Sequence, residues 1–234
     1  MALFKVRAAS RDDTPKTVRT MTRAPPSTSS RPPKGRGPAG RLASTARSAS
    51  WQRLSEEIQA CRRCPLGAVR IQAVVYRGSL RPKVVFVGEA PGAEEDRLGL
   101  PFVGRSGARL DAAIRELGFG DGSVGILNVL KCRPPANRFD RAAARTCRPF
   151  LDRQLAFLEP QVIVTLGAHA LEALDPGAPR VMSAAGRPRE GRRPPIFPLI
   201  HPAAAMRSRR WAERWTHDLA AFRRWWAERG TRTL

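Results

Sequence analysis

Acidic residues are scarce in this sequence, which has 20 Asp and Glu against 42 Lys and Arg. The resulting net charge of +22 favours a polyanionic partner, of which nucleic acid is the most common. A GC-rich genome would explain abundant arginine, but it would not explain the missing acids. Long apolar runs are also lacking, which excludes a helical membrane span. The first residues contain no apolar core of signal-peptide length, so we expect a cytoplasmic, nucleoid-associated protein.

Cysteine is also rare, and without a secretion signal its few thiols are not expected to form disulfides. Two cysteines form a Cys-x2-Cys motif, and a Cys-x14-Cys pair follows 67 residues later. Zinc modules usually combine two close pairs, and the second pair here is too wide for a zinc knuckle. Four thiolates from separated segments suit a [4Fe–4S] cluster, although spacing alone leaves zinc or free thiols open. The four cysteines are Cys61, Cys64, Cys132 and Cys147.

Residues 1–48 are rich in Ser, Thr, Pro, Gly and Arg and lack apolar periodicity, so we expect a disordered basic tail. Such a tail is either a nonspecific DNA-binding arm or the result of a start codon assigned too far upstream. We favour a dispensable arm. A folded domain is expected over residues 49–230, with its first helix capped by Ser50 and ending near Cys61.

Short apolar runs separated by helical patterns predict an α/β fold, a three-layer α/β/α domain with a central, mostly parallel, four-stranded sheet. A terminal helix over residues 208–229 carries large apolar residues at helical spacing: Trp211, Trp215, Leu219, Phe222 and Trp226. Such a stripe is more often core than binding surface, so we expect this helix to cover the sheet. The predicted strands are Val84–Gly88, Gly125–Leu130, Val162–Leu166 and Ile196–Ile200.

Three polar residues, Glu89, Asn128 and His201, interrupt or follow three of these strands. Because the carboxyl ends of parallel strands meet at one edge of a sheet, the three side chains could converge on one pocket. For each of these residues taken singly, a structural role explains its position at least as well. The prediction of a pocket rests on the fact that all three stand at strand ends. His169 begins a short helix and His217 lies on the terminal helix, and we expect neither to be catalytic.

Two side chains in this region suit recognition of a nucleobase. The amide of Asn128 offers a donor and an acceptor side by side, which matches the edge of a base. Phe102, between a proline and glycines, is either a loop anchor or a platform on which a base stacks.

Five motifs occur in an order that resembles the family 4, iron–sulfur uracil-DNA glycosylases, over about residues 51–226. The motifs are Cys61-Arg-Arg-Cys64-Pro-Leu-Gly, Gly88-Glu-Ala-Pro-Gly-Ala-Glu-Glu-Asp96, Pro101-Phe-Val-Gly-Arg-Ser-Gly107, Asn128-Val-Leu-Lys-Cys-Arg-Pro-Pro135 and His201-Pro202. The resemblance implies a DNA-repair enzyme that flips deaminated uracil out of DNA and hydrolyses its N-glycosidic bond. It also implies that the four cysteines hold a [4Fe–4S] cluster.

The same resemblance implies a role for each matched residue of the pocket. Phe102 would stack on uracil, Asn128 would hydrogen-bond to its Watson–Crick edge, and His201 would stabilise charge that develops on O2. Better-known uracil glycosylases carry an aspartate for the attacking water where this chain has Ala90. Glu89, or as a second choice Glu95, is the available carboxylate. The residues that would line the pocket are Gly88, Glu89 and Ala90.

The segment after His201 is expected to approach the DNA. Met206 is an apolar residue of the kind that props open a base step, and Arg207 could contact a phosphate, together with Arg209 and Arg210. An ordinary basic first turn of the terminal helix is the alternative. The expected partner is uracil-containing DNA, duplex and single-stranded, with no membrane and a monomeric protein.

Two departures from the family pattern concern the loops. The Thr/Pro-rich segment common after Asn137-Arg138 is missing, and Ala203 stands where a serine or tyrosine often follows His201-Pro202. The main rival is a related protein that is trapped covalently on uracil-DNA through a histidine in a basic loop. Residues 132–138 contain no histidine, which disfavours that function. A non-catalytic DNA-binding protein and a ferredoxin-like carrier are further alternatives.

Overall fold

A computed structural model of the chain describes residues 38–231, with side chains described from 46 to 229 except that of residue 121. Most of the predicted tail, residues 1–37, lies outside the described residues. None of the helices in the described range is both long and apolar enough to cross a membrane.

The described strands form a five-stranded sheet in the order β1-β3-β2-β4-β5. The four longer strands are parallel, whereas β1 pairs antiparallel with β3 at the edge. The predicted four-stranded sheet therefore lacked one edge strand, because a two-residue strand leaves no apolar run in a sequence. The strands are β1 (Arg77–Gly78), β2 (Val84–Gly88), β3 (Val124–Asn128), β4 (Val162–Leu166) and β5 (Ile196–Leu199).

Helices cover both faces of the sheet and create the predicted three layers. On one face, Val84 and Phe86 of β2 pack with residues of α4 and α8. On the other face, Val85 and Val87 pack with residues of α5 and α6. The helices are α1 (Pro38–Ala60), α2 (Leu66–Val69), α3 (Ala93–Leu98), α4 (Arg105–Glu116), α5 (Arg141–Leu158), α6 (Ala168–Leu174), α7 (Val181–Ala184) and α8 (Arg209–Thr231).

Alternate residues of β2 supply opposite faces of the sheet, and every residue of this strand is buried. This explains the continuous Val-Val-Phe-Val run, which is typical of a strand covered on both sides. Bounds for β2 and β4 agree with the prediction. By contrast, β3 begins one residue earlier and ends two residues earlier than predicted, and β5 ends one residue earlier.

Helix α8 covers the sheet with its aromatic residues, as the sequence predicted. Trp215, Leu219 and Phe222 are buried in the core, but Trp225 is buried there as well, and Trp226 packs at its margin. The predicted stripe therefore missed Trp225. Two aromatic residues in succession cover the sheet here.

Two other helices differ from the prediction. Helix α1 begins at Pro38, so Ser50 lies inside it, where its hydroxyl donates to the carbonyl of Ala46 instead of capping the helix. Asp140 does cap α5, accepting from the N–H of Ala143. A proline at residue 149 predicts that this helical region is interrupted or restarts there. Pro149 instead stands on the exposed side of α5, and the helix runs through it.

Candidate active site

A cleft of about 490 Å³ opens at the carboxyl edge of the parallel strands. The structure brings Glu89, Asn128 and His201 together there, from the ends of β2, β3 and β5. Parallel strands present their carboxyl ends at one edge, which explains why residues far apart in sequence meet. The cleft is lined by Glu89, Ala90, Pro91, Gly92, Glu95, Phe102, Ser106, Asn128, Asn137, His201, Ala203, Ala204 and Arg207.

The floor of the cleft depends on a close approach at Gly88. Gly88 pairs with Asn128 across β2 and β3. A β-carbon on Gly88 would lie 2.4 Å from Oδ1 of Asn128 and 2.5 Å from the ring of Phe102. Only glycine therefore lets the amide and the aromatic ring meet behind the cleft.

Asn128 is 1% exposed, and its Oδ1 atom has no hydrogen-bond partner among the described residues. A buried acceptor without a partner costs about 1–3 kcal/mol, so an orphaned acceptor beside a cleft marks a place where a ligand donor fits. Asn128 thus combines a fixed position with an unmet hydrogen bond. This combination is expected of a residue that reads a bound molecule.

The loop that carries Phe102 is held by a single carboxylate, that of Glu95. Oε1 of Glu95 accepts from the N–H groups of Val103 and Gly104, both at 2.9 Å, and Oε2 accepts from the N–H of Gly92 at 3.0 Å. These bonds tie the start of α3 to the start of α4. Phe102 has a φ of 55°, a strained conformation for a non-glycine residue that the surrounding bonds must maintain.

His201 is held as a neutral ring with a defined proton position. Its Nδ1 accepts from the N–H of Ala203 at 3.1 Å, so the proton of the neutral ring lies on Nε2. Burial lowers the pKa of His201 to about 4, with Arg207 acting in the same direction and Glu95 opposing it. The imidazole can therefore donate one hydrogen bond at neutral pH without carrying charge.

Glu89 is the carboxylate of the cleft that remains free for chemistry, because Glu95 already accepts from three backbone amides. Glu89 is half-buried, and this burial raises its pKa, while His169 acts in the opposite direction. Ala90 also lines the cleft but offers no functional group. The geometry thus favours Glu89 over Glu95 as a proton acceptor.

The other two histidines lie outside the cleft. The ring of His169 stacks on Phe139, with centroids 4.1 Å apart, and lines a separate cavity. His217 is an exposed residue of α8. Asn137, in contrast, lines the cleft at a φ of 55°, and the sequence reasoning missed it. Its signal was a polar residue beside the Pro-Pro-Ala segment of the loop that connects β3 to α5.

The segment after His201 forms a short 3₁₀ turn, Ala204–Met206. Arg207 follows it and lines the cleft. Met206 is 41% exposed, a large fraction for an apolar side chain. Arg209 forms an ion pair with Glu213 within α8. Among the arginines of this segment, Arg207 is therefore the one that lines the cleft, whereas Arg210 is exposed on the first turn of α8.

The four cysteines line one small cavity, although three segments of the chain supply them. All four are free thiols. No three metal-ligating side chains of the described part of the chain are grouped so that they could hold a metal ion. Burial raises the pKa of Cys132 and Cys147, and this effect is opposed by Arg70 at Cys132 and by Lys131 at Cys147.

Two cations accompany the cysteines. Arg70 donates from Nη1 to Sγ of Cys132 at 2.8 Å. Lys131 is 1% exposed and lines the same cavity, and its Nζ donates to the backbone carbonyl of Asn128 at 2.5 Å. Burial lowers the pKa of Lys131 to about 8, while Cys147 and Cys132 act in the opposite direction. Neither residue was singled out by the sequence reasoning, because a buried cation cannot be told from a surface cation by composition.

Comparison of the sequence with known proteins assigns the chain to a family. The family model described as "Uracil DNA glycosylase superfamily" matches residues 75–228. The chain is 40% identical over 161 residues to the Type-4 uracil-DNA glycosylase of Thermotoga maritima, covering 67% of this chain and 83% of that protein. It is 39% identical over 180 residues to the Type-4 enzyme of Pyrobaculum aerophilum, covering 73% of this chain and 92% of that protein. A Type-5 uracil-DNA glycosylase of Mycobacterium tuberculosis is 31% identical over 129 residues, 48% of this chain and 47% of that protein. The chain therefore belongs to the uracil DNA glycosylase superfamily, and within it to the type-4 uracil-DNA glycosylases.

Proposed function

We propose that the cleft flips uracil out of DNA and hydrolyses its N-glycosidic bond, leaving an abasic site, as a DNA-repair uracil-DNA glycosylase. The observation that carries this proposal is the buried Oδ1 of Asn128, which lacks a partner among the described residues and stands beside Phe102 and His201. A damaged base must leave the helix to reach such a pocket, and a weakly paired uracil opposite guanine costs less to extrude.

Uracil fits the groups that the cleft presents. Asn128 would accept from N3–H of uracil through Oδ1 and donate to O4 through its amide nitrogen. Phe102 would stack on the ring, and Gly88, Glu89 and Ala90 would form the surrounding wall. Cytosine presents an amino group at position 4 and an acceptor at N3, so the same amide would meet it with mismatched groups. Leaving such polar groups unpaired is the most effective way for a site to reject a base.

Bond cleavage makes uracil an anionic leaving group and the sugar an oxocarbenium-like cation. The Nε2–H of His201 would donate to O2, where the negative charge develops. A preorganised donor of this kind is typically worth about 3–4 kcal/mol of transition-state stabilisation. A neutral imidazole suits this role because its N–H is much less acidic than that of an imidazolium. The ring can therefore stabilise the anion by a hydrogen bond and keep its proton.

Water must then add to the sugar. We assign its activation to Glu89, since Ala90 has no functional group and Glu95 is committed to the amides of the Phe102 loop. Burial raises the pKa of Glu89, which makes the carboxylate a better proton acceptor than an exposed glutamate.

DNA would lie across the mouth of the cleft, beside Met206 and Arg207. Met206 would prop open the base step from which uracil has left, and Arg207 would contact a flanking phosphate. The positive charge of the chain supports a substrate that carries many phosphates. We propose duplex and single-stranded uracil-DNA as substrates and a monomeric protein in the nucleoid.

We also propose that Cys61, Cys64, Cys132 and Cys147 hold a [4Fe–4S] cluster. Their thiols line one cavity although three segments of the chain supply them, which suits the four-thiolate ligand set of such a cluster. The donor from Arg70 to Cys132 suits an anionic thiolate. When bound, the cluster would supply cross-links between the end of α1 and the segments that follow β3.

The cluster has a direct test. Purified protein should be brown, absorb at about 400 nm from thiolate–iron charge transfer, and contain about four irons per chain. Cys61→Ala should lose the iron and much of the soluble yield. Stoichiometric zinc after anaerobic purification would contradict the proposal.

The reaction is tested with an oligonucleotide that contains one uracil. Incubation followed by alkali should cleave the strand at the uracil, and free uracil should appear in an equal amount. An oligonucleotide with thymine at that position is the matched control. A non-catalytic DNA-binding protein would release no uracil, and a trapping relative would leave a covalent protein–DNA adduct that survives denaturation.

A further inference from the structure

Lys131 lies between two sites that are otherwise separate. Its ammonium group donates to the carbonyl of Asn128, the residue at the floor of the cleft, while the same side chain lines the cysteine cavity. The side chain is fully enclosed by protein. Its own carbonyl accepts from the N–H of Val74 at 2.7 Å, so the backbone at this position is fixed as well.

The carbonyl of Asn128 needs such a donor because of its place in the sheet. The N–H of Val129 donates to the carbonyl of Gly88, so Val129 faces β2 with its backbone groups. Backbone groups of successive residues in a strand face opposite neighbours, so the carbonyl of Asn128 faces the side of β1. Strand β1 begins at Arg77, opposite Ile126, and runs antiparallel away from Asn128, so neither of its residues lies opposite Asn128. Lys131 supplies the missing donor.

The charge of Lys131 points to the cysteine site. A buried ammonium group is costly unless an opposite charge compensates it. The side chain of Lys131 lines the cavity that the four cysteines share, and no carboxylate of the described residues forms an ion pair with it. Thiolates that ligate iron are anionic, so a loaded cysteine site would hold the ammonium group in place.

We propose that Lys131 is a positioning residue that couples the cysteine site to uracil recognition. The negative charge of the cysteine site holds the ammonium group, the ammonium group holds the carbonyl of Asn128, and the carbonyl fixes the amide that reads the base. This inference rests on the cluster proposed above. It adds that the charge of the cluster affects the position of Asn128 in the cleft, so that the cluster does more than cross-link the chain.

The test compares Lys131→Met with the wild-type holoenzyme. Iron content and thermal unfolding check that the variant is folded and loaded. Loss of a nearby cation should make the reduction potential of the cluster more negative, measured by absorbance during electrochemical titration. Single-turnover excision of uracil should fall by about tenfold to a hundredfold, the usual cost of a small misplacement in a site.

Arg70→Gln is the comparison variant, since Arg70 also donates to the cysteine site but has no bond to Asn128. It should shift the potential in the same direction with a smaller loss of excision. A double-mutant cycle with Asn128→Ala isolates the coupling: the effect of Lys131→Met on excision should largely disappear in that background. Should Lys131→Met fail to fold, Lys131→Arg enters the same cycle in its place.

Three outcomes would overturn the coupling. These are an unchanged excision rate in loaded Lys131→Met, an undiminished effect in the Asn128→Ala background, and an equal loss of excision in Arg70→Gln. Wild-type protein without iron would instead refute the cluster proposal. Wild-type protein without excision would refute the proposed reaction. A failure of the coupling, of the cluster and of the reaction would therefore each give a different result.

Discussion

Gly88 and Asn128 lie opposite each other on neighbouring parallel strands, and a β-carbon on Gly88 would lie 2.4 Å from Oδ1 of Asn128. The ring of Phe102 closes on the same point from the other side. The absence of a side chain at residue 88 is thus what allows the amide of Asn128 and the ring of Phe102 to meet. The shape of the pocket therefore depends on the lack of a β-carbon at residue 88 as well as on the side chains that line it.

Gly88→Ala should therefore reduce uracil excision by about a hundredfold or more, because the added methyl group must displace either the amide or the ring. Single-turnover kinetics on the single-uracil oligonucleotide measures the effect. Gly120→Ala is the matched control, since a β-carbon there meets no atom within 4 Å. Equal excision by the two variants would show that the contact at Gly88 yields without cost.

Asn128→Asp should weaken uracil excision and permit some excision of cytosine. The substitution removes the amide donor for O4 of uracil, whereas a carboxylate can accept from the amino group of cytosine. Discrimination by unpaired polar groups typically reaches several powers of ten. The measurement is the ratio of excision rates for uracil and cytosine in the same strand. Full uracil activity in this variant would mean that Asn128 has only a structural role.

Glu95→Gln should destabilise the protein by about 1–3 kcal/mol and slow excision at least about tenfold. Glutamine has one acceptor oxygen, so at least one of the three amides that Glu95 serves would face an N–H₂ group. Urea unfolding and single-turnover kinetics report the two effects. Glu94→Gln is the control, because this exposed neighbour pairs only with Arg97 among the described residues. Similar behaviour of the two variants would remove Glu95 from its positioning role.

The stability of the protein should depend on pH through His201. The unfolded chain takes up a proton near pH 6.5, but the folded chain keeps this imidazole neutral down to about 4. The unfolded state therefore binds more protons between these values, and the free energy of unfolding should fall by up to about 3 kcal/mol as pH drops through this range. Urea unfolding of wild type and His201→Gln at pH 7 and pH 4.5 measures it. The fall should be smaller in the variant, and an identical fall would assign it to other groups.

Met206→Ala should reduce excision from duplex more than from single-stranded DNA, since a single strand has no base step to prop open. Arg207→Ala should lower the salt dependence of DNA binding by about one unit of slope. Arg81→Ala is the control, because Arg81 precedes β2 and thus lies at the opposite edge of the sheet. Equal losses on both substrates, with a slope like that of the control, would place this segment away from the DNA.

The local sequence was enough to predict the strands that consist of one continuous apolar run. Both β2 and β4 were predicted with their observed bounds, because a continuous apolar run is compatible with little except a strand buried on both faces. The meeting of Glu89, Asn128 and His201 could also be predicted, since parallel strands bring their carboxyl ends to one edge. The short edge strand β1 left no such pattern.

Contacts between distant segments could not be read from the sequence. Nothing in the neighbourhood of Glu95 reveals that it accepts from the amides of the Phe102 loop, and nothing near Lys131 reveals that it is buried. Asn137 was missed for the same reason, because its place in the cleft depends on how the loop after β3 returns.

Residue types and their spacing along the chain were enough to predict the α/β layering, the polar residues that follow three of the strands, and the four cysteines. The folded chain was needed to see that Glu95 is bonded to three backbone amides, that Nδ1 of His201 accepts a hydrogen bond, and that Lys131 contacts Asn128 from the cysteine cavity. Those properties depend on burial and on hydrogen bonds between segments far apart in sequence, which only the folded chain brings within reach.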